Sequence, residues 1–218
     1  MPNKPSLTIE NYLSLLFILE RDGEPVVGAR LAELLGVRPP TVTNTLKRMA
    51  RDGLVSFDRP GTHLTEKGLQ AARTVMRRHM LTEWMLQKML SWSKCHQQAH
   101  HLEHAISDEI EAALVKEWNN PQTCPHGNPL PGYEAVVADW LPLTSLAAGQ
   151  SVIVRRVHEL AEETSGLLAF LEENGVMPGQ RATVVEVLPF NQTITLHLDK
   201  GDVSLGYAVA RNIFVELA

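Results

Sequence analysis

Two cysteines in 218 residues, Cys95 and Cys124, are too few for a disulfide framework. In a reducing compartment each reads as a free thiol or a metal ligand. No apolar run approaches the ~20 residues of a spanning helix. The first ten residues also lack the long apolar stretch of a signal peptide, so a cytoplasmic location with no membrane partner is expected. Aromatic residues make up only 6% of the chain, and there is no internal repeat and no low-complexity segment. No H-E-x-x-H and no paired-carboxylate signature is present, which leaves a metal-dependent hydrolase without a general base. With 44% hydrophobic residues the chain can still build two or three small cores.

What the chain does have is histidine in one place: five of its nine lie between His79 and His104. At about 100° per residue, the side chains of His96, His100, Glu103 and His104 fall in a sector of ~100° on one helix face. His101 points about 140° away from His96, so the clustering is directional. His79 and Glu83 repeat the four-residue spacing one helix earlier. Imidazoles and a carboxylate converging in a protein interior suit a divalent ion such as Mn²⁺, Fe²⁺, Co²⁺ or Zn²⁺. Cys124 and His126, two apart in an extended loop, can point the same way and form a thiolate and imidazole pair.

Charge is uneven as well. The net value is −5, yet the stretch from Arg38 to Arg78 holds nine Lys/Arg against three Asp/Glu, leaving the remainder at −11. One segment is therefore built to meet a polyanion.

Residues 8–20, capped at Thr8, predict an amphipathic helix stopped at Gly23-Glu24-Pro25. Val27–Leu35 predicts a second helix, and Val37-Arg38-Pro39-Pro40 a turn into a third at Thr41–Arg51. Val42, Leu46 and Met49 form the buried stripe of that third helix. This is helix-turn-helix grammar. Leu54–Phe57 and Thr62–Leu64 read as strands around the tight turn Asp58-Arg59-Pro60-Gly61, a basic wing. A long helix follows from about Glu66 to Leu90, then another over roughly Gln97–Trp118. Apolar residues including Met76, Met80, Trp84 and Leu86 are expected to bury against a second copy. Asn119–Gly132, with four prolines and two glycines, is irregular. Beyond Pro142 the period becomes that of strands, at Ser151–Val157, Arg181–Leu188, Thr193–Leu198 and Asn212–Leu217. A helix is expected around Gly166–Asn174, with turns at Pro178-Gly179 and Lys200-Gly201-Asp202. The expected fold is mainly α with β. It comprises a winged helix-turn-helix over 1–75, a helical metal-binding and dimerisation domain over 76–143, and a small β-barrel over 144–218.

These residues resemble the diphtheria-toxin-repressor family of metal-dependent transcription regulators over nearly the whole chain. The resemblance rests on Glu10-Asn11-Tyr12-Leu13, Pro40-Thr41-Val42-Thr43-Asn44 and Arg51-Asp52-Gly53-Leu54-Val55. It continues through Arg77-Arg78-His79-Met80-Leu81-Thr82-Glu83 and Leu102-Glu103-His104-Ala105-Ile106-Ser107-Asp108. The Cys124-Pro125-His126-Gly127 loop resembles the manganese-responsive branch, whose C-terminal domain is SH3-like (FeoA-like).

The resemblance implies a homodimeric repressor that binds a two-fold operator when loaded with Mn²⁺ first, or Fe²⁺ next. Zn²⁺ or Co²⁺ would serve as substitutes in vitro. The principal site would draw on Asn11, His100, Glu103 and His104, with His79 a further candidate. A second would use Glu83 with either His96 or a set of Cys124, His126 and Glu159. Asn11 stands where the family carries Met or Asp, Ser14 where manganese members have a carboxylate, and His100 where they have Cys or Glu. Arg38, Pro39, Pro40, Thr41, Thr43 and Asn44 would approach base edges, and Lys47, Arg48, Arg51 and Arg59 phosphates. The rival readings are a winged-helix regulator that senses an organic ligand or partner, and a metal-dependent hydrolase.

Overall fold

The computed structural model describes residues 5–58 and 61–218, in two compact units that divide between Arg78 and His79. Arg59, expected on phosphates, lies outside the described residues, as does Pro60 of the wing turn.

In the first unit, helix α1 (Leu7–Arg21) begins one residue before Thr8, with Ser6 at its cap position. It is buried nearly all round, from Ile9 through Leu19, so it forms the spine of the unit. Helix α2 (Gly28–Leu34) ends in a Schellman pair, Gly36 N–H to Glu33 O and Val37 N–H to Ala32 O, with Gly36 at φ 62°. Helix α3 spans Pro39–Arg51, so Pro39 and Pro40 open the helix instead of preceding it. The first turn of a helix needs no partner for its N–H groups, which is why two prolines fit there. Val42, Thr45, Leu46 and Met49 face the core.

Strands β1 (Val55–Phe57) and β2 (Thr62–Leu64) pair antiparallel, Ser56 opposite His63. The wing is fixed to α1 by Leu64 N–H donating to Glu20 Oε1 at 3.0 Å. Helix α4 (Glu66–Gln87) follows, and Thr65 Oγ1 caps it by accepting from Gly68 N–H. A Cβ on Gly68 would meet Leu54 O at 1.9 Å, so the helix can start so close to the wing only with glycine there.

The second unit starts on α4. The expected helix over Gln97–Trp118 is two helices, α5 (Trp92–Leu102) and α6 (Asp108–Glu117), separated by a 3-10 turn at Glu103–Ala105. Ser107 accepts from Ile110 N–H, and Asp108, Glu109 and Glu111 crowd the first turn of α6. That start signal overrides an unbroken apolar period. Leu86 and Leu90 pack on Cys95 and Ala99 between α4 and α5. Met76, Met80 and Leu86 are buried within the single chain, so the apolar surface left on these helices is at Leu102 and Ile110.

Six strands form one antiparallel sheet in the order β3-β8-β4-β5-β6-β7: β3 Leu141–Pro142, β4 Ser151–Val157, β5 Arg181–Leu188, β6 Thr193–Leu198, β7 Gly201–Gly206 and β8 Ile213–Leu217. Three short helices join them, α7 (Glu159–Glu162), α8 (Leu167–Asn174) and α9 (Tyr207–Ala210). The turn expected at Lys200-Gly201-Asp202 falls at Asp199-Lys200, where it joins β6 to β7, a strand that was not expected. Only Val203 and Leu205 are apolar in it, too brief an alternation to read as a strand. Register shifts at Val154/Arg156 and Val184/Glu186 mark bulges, which curve the sheet round its core of Val152, Val154, Val184, Leu196 and Ile213.

Candidate metal centre

Two groups of ligand-type side chains meet on α4. The first lies around Glu103: its Oε2 is 2.5 Å from His79 Nδ1, and its Oε1 is 3.6 Å from His100 Nδ1 and 3.5 Å from His104 Nε2. The 3-10 turn brings Glu103 inward, buried, while His100 and His104 stay half-buried and His101 is exposed. Hydrogen bonds from His100 and His79 overcome the cost of burial and hold the Glu103 carboxyl down at about 2.

The second group surrounds Glu83. Its Oε1 lies 3.1 Å from His79 Nε2, 3.0 Å from His96 Nδ1 and 3.3 Å from His126 Nδ1. Glu162 of α7 adds Oε2 at 2.6 Å from His96 Nδ1 and 3.5 Å from His126 Nδ1. Cys124 Sγ stands 4.0 Å from His126 Nδ1. Glu83, Glu162, His79, His96, His126 and Cys124 are all buried.

The outward nitrogens of the three imidazoles are each engaged: His79 Nδ1 by Glu103, His96 Nε2 by Glu163 at 3.0 Å and His126 Nε2 by the Trp92 carbonyl at 3.1 Å. An acceptor on the outer nitrogen fixes the proton there and turns the inner lone pair toward the centre, the usual support for a metal-ligating histidine. Without a cation, inner lone pairs would face carboxylate oxygens, and only protonation relieves that. Burial alone would lower His79; the charge of Glu83 and hydrogen bonds to Glu103 and Glu83 outweigh it and raise the ring to about 9. His96 and His126 are likewise pushed up against burial, mainly by Glu162. Burial and the charges of Glu83 and Glu162 push the Cys124 thiol well up, so its thiolate also needs a cation.

Protons do not close the account, however. One proton on His96 Nδ1 faces Glu83 Oε1, Glu162 Oε2 and His79 Nε2 at once, and Glu83 Oε2 is buried with no hydrogen-bond partner among the described residues. The donor set therefore fits a divalent metal.

The loop bearing Cys124 and His126 is held on β4. Val157 N–H donates to His126 O, and a Cβ on Gly127 would meet Arg155 O at 1.9 Å. Asn128 Nδ2 donates to Glu162 Oε1 at 2.5 Å, leaving Oε2 for the cluster. Glu159, expected beside Cys124 and His126, instead pairs with Arg156 Nη2 at 3.0 Å. Glu162, three residues on, is the barrel carboxylate at the centre. Sequence reading missed Glu162 and Glu163; the acidic run Glu159-Leu160-Ala161-Glu162-Glu163 was the available signal. Asn11, on α1, has its Oδ1 buried without a hydrogen-bond partner among the described residues.

Of the described residues expected at DNA, the structure exposes Arg38 at the cap of α3 and Pro39, Pro40, Thr41, Thr43, Asn44, Lys47, Arg48 and Arg51 on it. Asn44, Lys47 and Arg51 line a shallow groove with Phe57 of β1.

A helix-turn-helix with a wing, followed by buried His/Glu/Cys clusters and a small β-barrel, defines a metal-responsive DNA-binding regulator. Comparison with known proteins agrees. The model of the iron dependent repressor N-terminal DNA binding domain matches residues 6–61, and that of the metal binding and dimerisation domain residues 65–132. The FeoA domain model matches residues 141–217. The chain is 36% identical over 223 residues to iron-dependent repressor IdeR of Mycobacterium leprae (strain TN), covering 96% of each. It is 32% identical over 222 residues to the diphtheria toxin repressor of Corynebacterium diphtheriae (strain ATCC 700971 / NCTC 13129 / Biotype gravis), again 96% of each. Among solved structures, a manganese-dependent transcriptional repressor in complex with manganese superposes with a TM-score of 0.80 at 28% identity, over 96% of this chain and 99% of that one. The chain belongs to the iron-dependent repressor family, whose members are transcriptional regulators and not enzymes. No helix of the described residues is long and apolar enough to cross a membrane.

Proposed function

We propose that this repressor binds a two-fold operator as a cytoplasmic homodimer when loaded with Mn²⁺, with Fe²⁺ the second choice. The observation that carries the metal dependence is the convergence of His79 Nε2, His96 Nδ1 and His126 Nδ1 within 3.3 Å of one buried carboxylate oxygen, Glu83 Oε1. The similar proteins are named for iron and for manganese. A bound dication supplies positive charge and directed bonds that hold side chains from separate elements together.

His100, Glu103 and His104 are the principal ligands in this reading, with Asn11 carried over from the family resemblance. Glu83, His79, His96, Cys124, His126 and Glu162 make the second set. Asn44, Thr43, Thr41 and Arg38 address base edges, and Lys47, Arg48 and Arg51 address phosphates. Leu102 and Ile110, exposed on α5 and α6, support the dimer face there. The domain limits that suit these roles are 1–75, 76–143 and 144–218. Operator binding titrated with Mn²⁺ and Fe²⁺ under anaerobic conditions tests the reading; DNA affinity indifferent to both metals would refute it.

A further inference from the structure

We propose that the Glu83 cluster holds two metal ions at once, with Glu83 and Glu162 shared between them. This rests on the metal-dependent reading above and extends it from one second site to a pair.

Two ligand sets overlap at Glu83: His79, Glu83 and His96 on one side, and Glu83, Cys124 and His126 on the other. Within each set the ligand atoms are all within 4.8 Å of one another, as round a single ion, yet the two sets do not merge into one group at that distance. The rings of His96 and His126 stand nearly perpendicular, 89°, with centroids 6.2 Å apart, while His79 and His96 are 4.8 Å apart. The two sides are thus distinct places that share their carboxylates. Glu162 Oε2 reaches both, 2.6 Å from His96 Nδ1 and 3.5 Å from His126 Nδ1.

Spare oxygens and charge point the same way. Glu83 Oε1 faces imidazoles of both sets, His79 and His96 on one side and His126 on the other, while Oε2 is buried with no hydrogen-bond partner among the described residues and is free to bind as well. Carboxylates that join pairs of iron or manganese ions between packed helices are established chemistry. Glu83, Glu162 and the Cys124 thiolate together carry three negative charges in a buried set. One dication leaves a net negative charge there, whereas two, with Glu163 at the rim, bring the sum to zero. The sides also differ in donor softness. One offers imidazole and carboxylate and the other adds a thiolate, so a hard ion suits the first and a softer one the second.

The test counts metal per subunit in the full-length protein, saturated anaerobically with Co²⁺ or Mn²⁺ and freed of loose ions by gel filtration. Glu83→Gln is expected to lose two ions relative to the parent. Cys124→Ser and His96→Ala are each expected to lose one, with the cobalt–thiolate absorption kept in His96→Ala and lost in Cys124→Ser. A loss of fewer than two ions from Glu83→Gln overturns the pair. Electron paramagnetic resonance of the unmutated Mn²⁺ protein gives a reading independent of any variant: an exchange-coupled signal beside that of the lone ion at the Glu103 group supports the pair, and the absence of any exchange-coupled signal at saturation overturns it. If the pair fails while operator binding still responds to metal, the functional reading stands. DNA binding indifferent to metal sinks that reading instead.

Discussion

His79 meets Glu103 through Nδ1 at 2.5 Å and turns its other nitrogen, Nε2, toward Glu83 at 3.1 Å. One imidazole therefore belongs to both ligand groups. If Nε2 is a ligand, the proton is confined to Nδ1, where it holds Glu103 in place for the first group.

His79→Gln is accordingly expected to weaken metal binding at both groups, by about 10–100-fold at the one where it acts only through Glu103. His104→Ala should weaken only the Glu103 group. Competition titrations with a chelator of known affinity separate the two: a His79→Gln protein that loses a single class of site would show that the ring serves one group alone.

Metal binding and proton binding compete at this ring, which fixes the sign of two pH effects. His79 is raised from 6.5 to about 9 in the folded, metal-free chain, so its proton stabilises that state fully below pH 6.5. This contribution is lost as pH rises through 9. A cation must displace the same proton, so metal affinity should rise across that window, by up to about tenfold per pH unit for each proton released. The metal-free melting temperature should thus fall while metal affinity climbs. Calorimetry in buffers of different ionisation enthalpy measures the release directly, and zero protons released would contradict it.

The wing, the recognition helix and four of the barrel strands were legible because each follows a local rule: alternation, a buried stripe, a turn residue. The metal clusters were half legible. Spacing found His79, Glu83, His96, His100, Glu103 and His104, but it assigned the last four to one helix face. In fact α5 ends at Leu102 and a 3-10 turn carries Glu103 and His104; His96, one turn before His100 on α5, meets Glu83, and the other three form a separate group. Glu162 could not be chosen over Glu159 from spacing, since both lie on one short helix. The choice is made by Arg156, which claims Glu159, and by Asn128, which holds Glu162.

Gly127 is where the loop ligands depend on backbone contact. It sits at φ 89°, and a Cβ there would meet Arg155 O at 1.9 Å, so Gly127→Ala must move the loop off β4. Loss of the Cys124 and His126 donors should follow, seen as a missing cobalt–thiolate absorption, with an unfolding cost of about 1–3 kcal/mol. An unchanged absorption would show that the seat on β4 does not position these ligands.

On the recognition helix, Arg48→Ala should weaken binding evenly across sequences and lower the salt slope by about one counterion. Asn44→Ala should instead relax sequence preference, because an amide can pair with adenine in two places at once. Both side chains are exposed on α3, so neither change should disturb the fold. Identical specificity profiles for wild type and Asn44→Ala would remove Asn44 from base readout.

The Glu103 group supplies the most direct test of metal control. His104 lies 3.5 Å from Glu103 Oε1, half-buried and on the 3-10 turn, remote in sequence from the recognition helix. His104→Ala should keep the fold, the dimer and weak, salt-sensitive DNA affinity, yet lose the metal-induced gain. A coupling of ~1–3 kcal/mol, about 5–150-fold in operator affinity, is the scale at stake. Asn11→Asp should act in the opposite sense, replacing a neutral amide oxygen with a charged one and raising affinity for a hard ion such as Mn²⁺. Operator titrations at fixed metal, run on both variants beside the parent, decide the matter. A His104→Ala protein with the parent's metal dependence would make that histidine structural and move control of the repressor to the Glu83 group.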